Sequence, residues 1–452
     1  MRRKFTLIIP SMVLFSILNP NVAQTSANPV QSANTIAPFI DNQTFVVGRL
    51  DVSRIDVEAF VNKVLEFLPK EDQDEVTIPD EVTVQINAAK ALGIQWQQVF
   101  LQAGGKDIYG VYSMNDFPYF FIAVPLQPGA DVPMLKSWLA TVAKACDVGE
   151  FGSEQIGHTL VAGRKETVER VKSLFTAPRP ELMAAFAAAG DATVQLLILP
   201  TRDQRRVIEE MMPNLPLPKG EVPSSTLTRG IHWASVGVNL PPKISLGVRV
   251  KSQDAQAAQN LKNLLDQFYA YISSVHEVKQ LFPNMKELLQ RVTPTVKADR
   301  LELMLTPQQT EVLIQDILKP MFVVLRIEAE LTQSVSHMRQ ILVACNSYAN
   351  DHQGQWPETL QVLVEAQKLD VKLLNNPRCP ERKVGYVYIP PGPNRKKFFV
   401  DQHIVLYELY DEWPQLHGIW IGFMDGHLER MEKRDRFEKK LAETRARNEE
   451  KS

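Results

Sequence analysis

The sequence predicts an α+β protein made of two ferredoxin-like units followed by a third domain of different character. Two observations lead to this expectation. The order β-α-β-β-α-β can be traced twice, over residues 44–180 and over residues 191–310, and this order is typical of ferredoxin-like, split βαβ sandwiches. From about Met321 the pattern changes to one long amphipathic helix followed by short strands, which predicts a separate α+β domain over residues 321–431.

The first predicted unit begins after a short polar segment and ends before residue 181. The pair Asn115-Asp116 predicts the turn between its two middle strands. In chain order, its predicted elements are the strand Thr44–Val52, the helix Val57–Phe67, strands at Ile108–Ser113 and Tyr119–Pro125, the helix Pro133–Ala145 and the strand Thr159–Ala162.

The second predicted unit repeats the order of the first. Within Ile231–Leu240, the residues Val236, Val238 and Leu240 share one face, as the period of two in a strand requires. Pro213–Pro223 contains four prolines and predicts an extended loop. In chain order, the elements are the strand Ala192–Pro200, the helix Arg202–Met212, strands at Ile231–Leu240 and Ile244–Val250, the helix Ala255–Ser273 and the strand Arg300–Leu305.

The composition is that of a folded globular protein without a nucleic-acid partner. The 452 residues are 44% hydrophobic and 23% charged, which is ordinary for globular domains. The formal net charge is −2, with Lys and Arg interspersed among Asp and Glu. Nucleic-acid binding requires a concentrated basic face, so we expect no nucleic-acid partner.

The N-terminal segment predicts export. Arg2, Arg3 and Lys4 precede an apolar run over Phe5–Leu18, and small residues follow by residue 27. This is the arrangement of a secretory signal peptide over residues 1–27, and the small, polar residues 28–43 are predicted to form a linker. The alternative is an uncleaved anchor, although the run is shorter than the roughly 20 residues of a spanning helix. We therefore expect a periplasmic, secreted or cell-surface protein, attached to the membrane at most peripherally.

The third domain is marked by one apolar stripe. Leu331, Val335, Met338, Leu342 and Cys345 recur at helical spacing, and Gly354 is an expected terminator. A short helix over Pro357–Gln367, strands at Val384–Ile389 and His403–Leu409, and a hairpin around Ile419–Leu428 are predicted to follow. Residues 432–452 are rich in charges of both signs and predict a solvated helical tail with no function of its own.

The sequence after this helix carries a resemblance to a known family. Cys345–Val364 reads CNSYANDHQGQWPETLQVLV, and it is followed by Cys379-Pro380, Tyr386-Val387-Tyr388 and Pro390-Pro391-Gly392. This pattern is similar to the globular part of type II secretion pseudopilins. It resembles still more a broad family of exported bacterial proteins with a pilin-like domain that ends in an H-x9-D-G pattern. Here seven residues, not nine, separate His417 from Asp425-Gly426. The resemblance implies a pilin-like fold for residues 321–431 and a cell-envelope setting.

The chain departs from true pseudopilins in one respect. In those proteins a long apolar helix follows the leader and assembles into a filament, whereas here the corresponding helix is internal. Arg326, Glu328 and Glu330 also interrupt its apolar start. The resemblance is therefore carried over for the fold of the domain and for the envelope setting, and it is not carried over for filament assembly.

Histidines and acids of the third domain are candidate metal ligands. Asp351, His352, His417, Asp425 and His427 supply oxygen and imidazole groups that suit calcium or zinc. Their spacing matches no established ligand pattern, and Asp425-Gly426 also fits a hairpin turn. Both interpretations, metal ligands and turn residues, stay open at this point.

Three cysteines are too few for a disulfide-built scaffold. Cys146 falls in an apolar helical run and is predicted to be a buried thiol. Cys345 and Cys379 lie in the same domain, so they either form a disulfide in an oxidising compartment or remain free.

No catalytic motif is present in the sequence. It contains no Gly-x-Ser-x-Gly elbow, phosphate-binding glycine loop, dinucleotide fingerprint or zinc-protease helix. We therefore expect a non-enzymatic, exported binding or scaffolding protein without a cofactor, with envelope or secreted proteins as partners. The alternative function is a metal- or small-ligand-binding module that uses the C-terminal His and Asp residues.

Overall fold

A computed structural model describes residues 28–67, 80–176, 178–217, 220–392, 400–411, 413 and 418–449. The chain divides into two compact units, Met1–Pro320 and Met321–Ser452. The N-terminal unit and the C-terminal unit each combine helices with an antiparallel sheet, and this confirms the predicted α+β class. The predicted signal peptide lies outside the described residues.

The N-terminal unit is built on one ten-stranded sheet and a separate hairpin. The sheet strands are β1 (Thr44–Asp51), β2 (Asp107–Ser113), β3 (Phe121–Pro125), β4 (Phe151–Ile156), β5 (Thr159–Arg164), β6 (Val194–Ile198), β9 (Trp233–Asn239), β10 (Ser245–Lys251), β11 (Thr295–Lys297) and β12 (Arg300–Leu305), and the hairpin is β7 (Asn214–Leu217) with β8 (Gly220–Pro223).

Helices cover both faces of this sheet. They are α1 (Pro29–Ile36), α2 (Val57–Phe67), α3 (Asp80–Gln102), α4 (Val132–Ala145), α5 (Lys165–Lys172), α6 (Glu181–Ala189), α7 (Arg202–Met211), α8 (Ser225–Gly230), α9 (Ala255–Ile272), α10 (His276–Leu281), α11 (Met285–Arg291) and the start of α12 (Pro307–Asp351).

The strand order shows an internal duplication. The sheet runs β11-β12-β10-β9-β6-β1-β2-β3-β5-β4. Read outward from the centre, it is β1-β2-β3-β5-β4 on one side and β6-β9-β10-β12-β11 on the other, which is the same order twice. The two halves join where β1 pairs with β6, with Gly48 opposite Leu196. We refer to residues 29–172 as the first repeat and to residues 181–320 as the second repeat.

The ferredoxin-like arrangement predicted for the two units is wrong. In a split βαβ unit the two strands joined by a helical crossover are parallel and another strand lies between them, whereas each half of this ten-stranded sheet runs in the order β1-β2-β3-β5-β4 or its equivalent. Here β1 and β2 flank a helical connection and are nevertheless direct antiparallel neighbours. The predicted strands and helices are present, but each repeat also contains a sheet strand that was not predicted, β4 and β11, and element order alone does not determine how the strands pair. The two predicted units also share one sheet.

The predicted linker over residues 28–43 is also wrong. Asn28 caps α1 by accepting a hydrogen bond from the Val30 amide, and Pro29 occupies the first helical position. Ile36 and Ile40 are fully buried and belong to the core cluster that contains α6 residues. Helix α1 precedes β1 as α6 precedes β6, and α1 packs on α6. The segment therefore belongs to the first repeat.

The two sheet faces have different cores. On one face, Val47, Val111 and Phe121 pack with residues of α1, α5 and α6. On the opposite face, Val124 and Leu160 of the first repeat pack with residues of α3 and α4. In the second repeat this opposite face is covered by α8 and α9. Strand residues alternate between the two faces, as the period of two requires.

The C-terminal unit packs helices on a four-stranded antiparallel sheet. The core joins Met338, Ile341 and Cys345 of α12 to Val405 and Leu406 of the sheet. The strands are neighbours in chain order: β13 (Tyr386–Tyr388), β14 (Ile404–Glu408), β15 (Ile419–Phe423) and β16 (Leu428–Met431). The further helices are α13 (Leu360–Glu365) and α14 (Arg434–Glu449).

The prediction of a wholly solvated tail is wrong in part. The tail is helical, as expected, but Phe437 and Thr444 of α14 are buried. Phe437 packs on the Tyr407 ring with centroids 5.2 Å apart, and the Thr444 hydroxyl oxygen accepts a hydrogen bond from the Ile404 amide at 3.3 Å. One face of α14 is thus part of the core, and the many charges of this segment obscured that stripe.

Candidate functional site

The second repeat contains an apolar cavity of about 660 Å³. This volume is within the roughly 300–1,000 Å³ that is typical of ligand pockets. The cavity lies between the sheet, helix α9 and the β7–β8 hairpin. Its lining is formed by Met212, Leu215, Pro216, Leu217, Leu227, Ile231, Leu246, Val248, Val250, Leu261, Leu264, Leu265, Phe268, Tyr269, Val292, Pro294, Leu301 and Leu303.

The lining offers almost no polar group to a ligand. None of the described residues that line the cavity is charged. The Tyr269 hydroxyl donates a hydrogen bond to the Val292 carbonyl oxygen at 3.4 Å. Burial, and next the nearby Asp266 carboxylate, raise the pKa of Tyr269, so this side chain is neutral at physiological pH. A cavity with this lining favours hydrocarbon over charged or strongly polar molecules.

The cavity is elongated along α9. From Leu261 to Phe268 a helix rises about 10 Å, at about 1.5 Å per residue. From Leu246 to Val250 a strand extends about 14 Å, at roughly 3.4 Å per residue. All four residues line the cavity, so its long dimension is on the order of 10–14 Å.

Comparison of the repeats explains why the cavity exists. Helices α4 and α9 occupy equivalent positions, and each is capped by an aspartate, Asp131 and Asp254. Seven residues after each cap stand Trp138 (131 to 138) and Leu261 (254 to 261). In the first repeat Trp138 is buried and packs on Phe100 with ring centroids 4.9 Å apart. The second repeat has the smaller leucine instead.

One helical turn earlier, the side chain of α4 is again larger than the equivalent side chain of α9. Four residues after the caps are Leu135 and Ala258, and both are completely buried. Phe100 comes from the long helix α3 of the first repeat, whereas the second repeat has α7, the β7–β8 hairpin and α8 between β6 and β9. The second repeat therefore lacks the side-chain volume that fills the first, and the cavity results.

The β7–β8 hairpin forms one wall of the cavity. Its strands pair only with each other in the described sheets, and Leu215, Pro216 and Leu217 line the cavity. This hairpin corrects the predicted extended loop over Pro213–Pro223. At the rim, Met212 and Phe268 are 43% and 46% exposed, so apolar surface continues from the cavity to solvent.

A second, polar cavity of about 280 Å³ lies at the start of α7 and contains Arg179, Arg205 and His232. The Arg179 guanidinium is already bonded to the carbonyl oxygens of Asp41, Thr44 and Leu199. Arg205 donates to the Pro200 carbonyl oxygen. Because these donors are used within the fold, the apolar cavity is the better candidate for a ligand site.

The described metal candidates contact other side chains or one another in pairs. Asp351 pairs with Lys368, whose hydrogen bond lowers the Asp351 pKa, and the His352 ring stacks on Tyr348 with centroids 3.8 Å apart. Asp425 and His427 lie together, with Nδ1 of His427 2.5 Å from the Asp425 carboxylate, in the turn between β15 and β16.

His417 lies outside the described residues. Within the described parts of the chain, no group of three or more His, Cys, Asp or Glu side chains is placed to hold a metal ion. The turn interpretation of Asp425 is the one that matches its surroundings.

One of the three cysteines differs from its prediction. Cys345 and Cys379 are free thiols, which is the second of the two alternatives that the sequence left open. Cys345 is completely buried in the core beneath the sheet, and burial raises the pKa of its thiol to about 12. The Cys379 Sγ instead faces the Leu409 carbonyl oxygen at 3.9 Å. Cys146, predicted to be buried, is exposed, because it is the C-cap residue of α4.

The cavity was not among the sites predicted from the sequence. Its signal was indirect: leucines at 261, 264 and 265 on one helix face, and a proline-rich segment between β6 and β9.

Among the helices of the described residues, none combines the length and the apolar character needed to cross a membrane. No known protein family, curated protein or solved structure matches the chain.

Proposed function

We propose that this chain is an exported, non-catalytic binding protein of the cell envelope that holds an apolar, lipid-like molecule in the second repeat. The observation that carries the proposal is the 660 Å³ cavity lined by apolar residues. The absence of catalytic motifs from the sequence and its predicted signal peptide support a binding role outside the cytoplasm.

The physical basis of binding is burial of hydrocarbon. Each methylene group that leaves water for the cavity contributes about 0.8 kcal/mol. A chain or flat ring system about 10–14 Å long would match the long dimension given by α9 and β10. Any polar end of the ligand would remain at the rim beside Met212 and Phe268.

The proposal is tested on protein purified from the organism's envelope. Organic-solvent extraction followed by mass spectrometry is expected to recover an apolar molecule in near-stoichiometric amount. In Val248→Phe, a phenyl ring occupies the cavity, and the recovered amount should fall. Val236→Phe is the matched control, because Val236 is the register partner of Val248 on β9 and does not line the cavity. Equal recovery from both variants, or none from the wild type, would contradict the proposal.

For the C-terminal unit we keep the pilin-like fold and the role in contacts with envelope proteins as proposals. The end of α12 packed on an antiparallel sheet is compatible with them, and the Cys345–Val364 motif supports them. Cross-linking in envelope fractions, followed by mass spectrometry, is expected to recover one or two proteins reproducibly. Recovery of the chain alone would remove this part of the proposal.

A further inference from the structure

The turn between β2 and β3 displays several large apolar side chains to solvent. Met114, Phe117, Tyr119 and Phe120 are 47%, 69%, 44% and 60% exposed. They all fall within the seven residues 114–120 that separate the two strands. Monomeric proteins seldom expose apolar groups in such a concentration unless the surface has a partner.

The exposure is imposed by a well-anchored backbone. Asp116, in the middle of the turn, is buried and accepts two hydrogen bonds from Arg170, one from Nε at 3.0 Å and one from Nη2. The Met114 amide donates to the Gln43 carbonyl oxygen at 2.9 Å, and the Tyr119 amide donates to that of Asp116 at 2.6 Å. The turn is therefore held in place while its apolar side chains point outward.

The equivalent turn of the second repeat shows that the fold does not require this exposure. Between β9 and β10, Pro242 and Lys243 are the exposed residues, whereas Ile244 is buried. The same connection in the same sheet can thus be made without exposed aromatic rings. The rings of the first repeat therefore need a separate explanation.

The surroundings of the turn favour a lipid interface. The Arg164 guanidinium lies 4.2 Å from the centre of the Tyr119 ring, and Lys165 is exposed beside it. The turn's own acid, Asp116, shares the Arg170 guanidinium with the mostly buried Asp41, and exposed Glu166 offsets one of the two nearby cations. Aromatic rings with adjacent basic groups are typical of segments that enter the headgroup region of a bilayer.

The small size of the exposed apolar patch also favours a membrane over a protein partner. A stable protein–protein interface takes roughly 20–30 residues from each side, and this turn supplies seven. Insertion into a bilayer needs only a few apolar side chains and is then weak and reversible. The predicted export signal also brings the chain to a membrane.

We infer that the β2–β3 turn is a membrane-docking loop, in which Phe117 and Phe120 enter the interface of a phospholipid bilayer. This role is separate from the apolar cavity of the second repeat. Docking would bring the cavity-bearing unit to the surface where apolar molecules are held, but neither site depends on the other for its chemistry.

The test is sedimentation of the full chain with vesicles of phosphatidylethanolamine and phosphatidylglycerol. The double variant Phe117→Ser/Phe120→Ser is expected to bind at least about tenfold more weakly than the wild type. Both side chains are exposed, so the fold and the melting temperature should be unchanged. The matched control is Phe175→Ser, which removes a 96% exposed ring outside the turn and should leave vesicle binding as it was.

Two results would overturn the inference. One is equal vesicle binding by the wild type and the double variant, at low salt and at high salt. Basic residues or the N-terminal segment would then be responsible for the binding to vesicles. The other is loss of a cross-linked envelope protein in the double variant without any loss of vesicle binding. In that case the turn is a protein-docking surface.

Discussion

Phe100 and Trp138 fill the first repeat with two rings whose centroids are 4.9 Å apart, at the place where the second repeat has its cavity. Leu261 stands at the position equivalent to Trp138, counted from the capping aspartates. The first repeat is thus filled by side chains at this position, whereas the second repeat contains the cavity. This difference fits the proposed function, in which the second repeat provides the binding site.

The stability of the first repeat should be sensitive to truncation of its buried aromatic side chains. Trp138→Leu removes a buried ring and also the hydrogen bond from its Nε1 to the Trp96 carbonyl oxygen. We expect a loss of about 2–4 kcal/mol in the free energy of unfolding, measured by urea denaturation. The reverse change, Leu261→Trp, should leave stability equal or raise it, because space is available. A similar loss in both variants would show that the repeats are packed alike.

A glycine beside Phe100 should also be required. A Cβ at Gly105 would lie 2.5 Å from the Phe100 ring, so Gly105→Ala should cost about 1–3 kcal/mol through overpacking. Gly110→Ala is the control, because a Cβ there meets nothing within 4 Å. Phe100→Leu should reduce the cost of Gly105→Ala in a double-mutant cycle. Additive effects of the two changes would show that the ring is not the cause.

The C-terminal unit should depend on a buried ion pair. Glu408, whose side chain is 2% exposed, accepts hydrogen bonds from Arg378 at 2.6 Å and from the Trp420 amide at 2.8 Å. Arg378→Met leaves this carboxylate without its counter-charge, and we expect a loss of about 3–5 kcal/mol. This loss in the free energy of unfolding is measured by denaturation of the protein, with limited proteolysis reporting the unfolded fraction.

The control for that prediction is Arg382→Met. Arg382 pairs with the exposed Asp411, whose side chain is 80% exposed. An exposed pair contributes at most about 1 kcal/mol, so this variant should resemble the wild type. Comparable losses in Arg378→Met and Arg382→Met would refute the special role of the buried pair.

His403 should make the stability of this unit depend on pH. Its side chain is completely buried, and burial, followed by the charge of Arg447, lowers its pKa to about 4. In the unfolded chain the pKa of histidine is about 6.5. Between these values the unfolded state binds more protons, so stability falls as the pH falls from about 6.5 to about 4, by up to about 3 kcal/mol.

This dependence is measured by urea unfolding at pH 7 and pH 5. His403→Leu should lose most of the difference between the two pH values, because no proton is taken up on unfolding at that position. His352→Gln is the control, since His352 is exposed, and it should retain the difference. An unchanged pH dependence in His403→Leu would show that other groups are responsible.

Much of the fold follows from local sequence. The cap Asp254, the apolar stripe of α12 and the period of two in β9 determine where elements lie. Helix α3 was missed, because one of its buried positions is Gln97, whose amide donates to the Val52 and Ile55 carbonyl oxygens. A polar side chain that is buried because it hydrogen-bonds to backbone groups far away in the sequence produces no recognisable pattern in the local sequence.

Strand pairing and the cavity could not be predicted in this way. Whether β1 pairs with β2 or with a crossover strand depends on contacts between distant residues. The cavity depends on the volume difference between Trp138 and Leu261, and this becomes meaningful only once α4 and α9 are known to be equivalent. The metal prediction relied on the number of His and Asp residues in one domain, yet Asp351 and Asp425 have their own partners, Lys368 and His427.

The most direct test of the central claim is a fluorescence titration of the full chain with N-phenylnaphthylamine, an apolar probe that brightens on leaving water. The wild type is expected to bind it saturably with one molecule per chain, and Leu261→Trp, whose added ring occupies the cavity, is expected to bind it at least about tenfold more weakly. No saturable binding by the wild type, or equal binding by the two proteins, would contradict the claim that the second repeat is a site for apolar ligands.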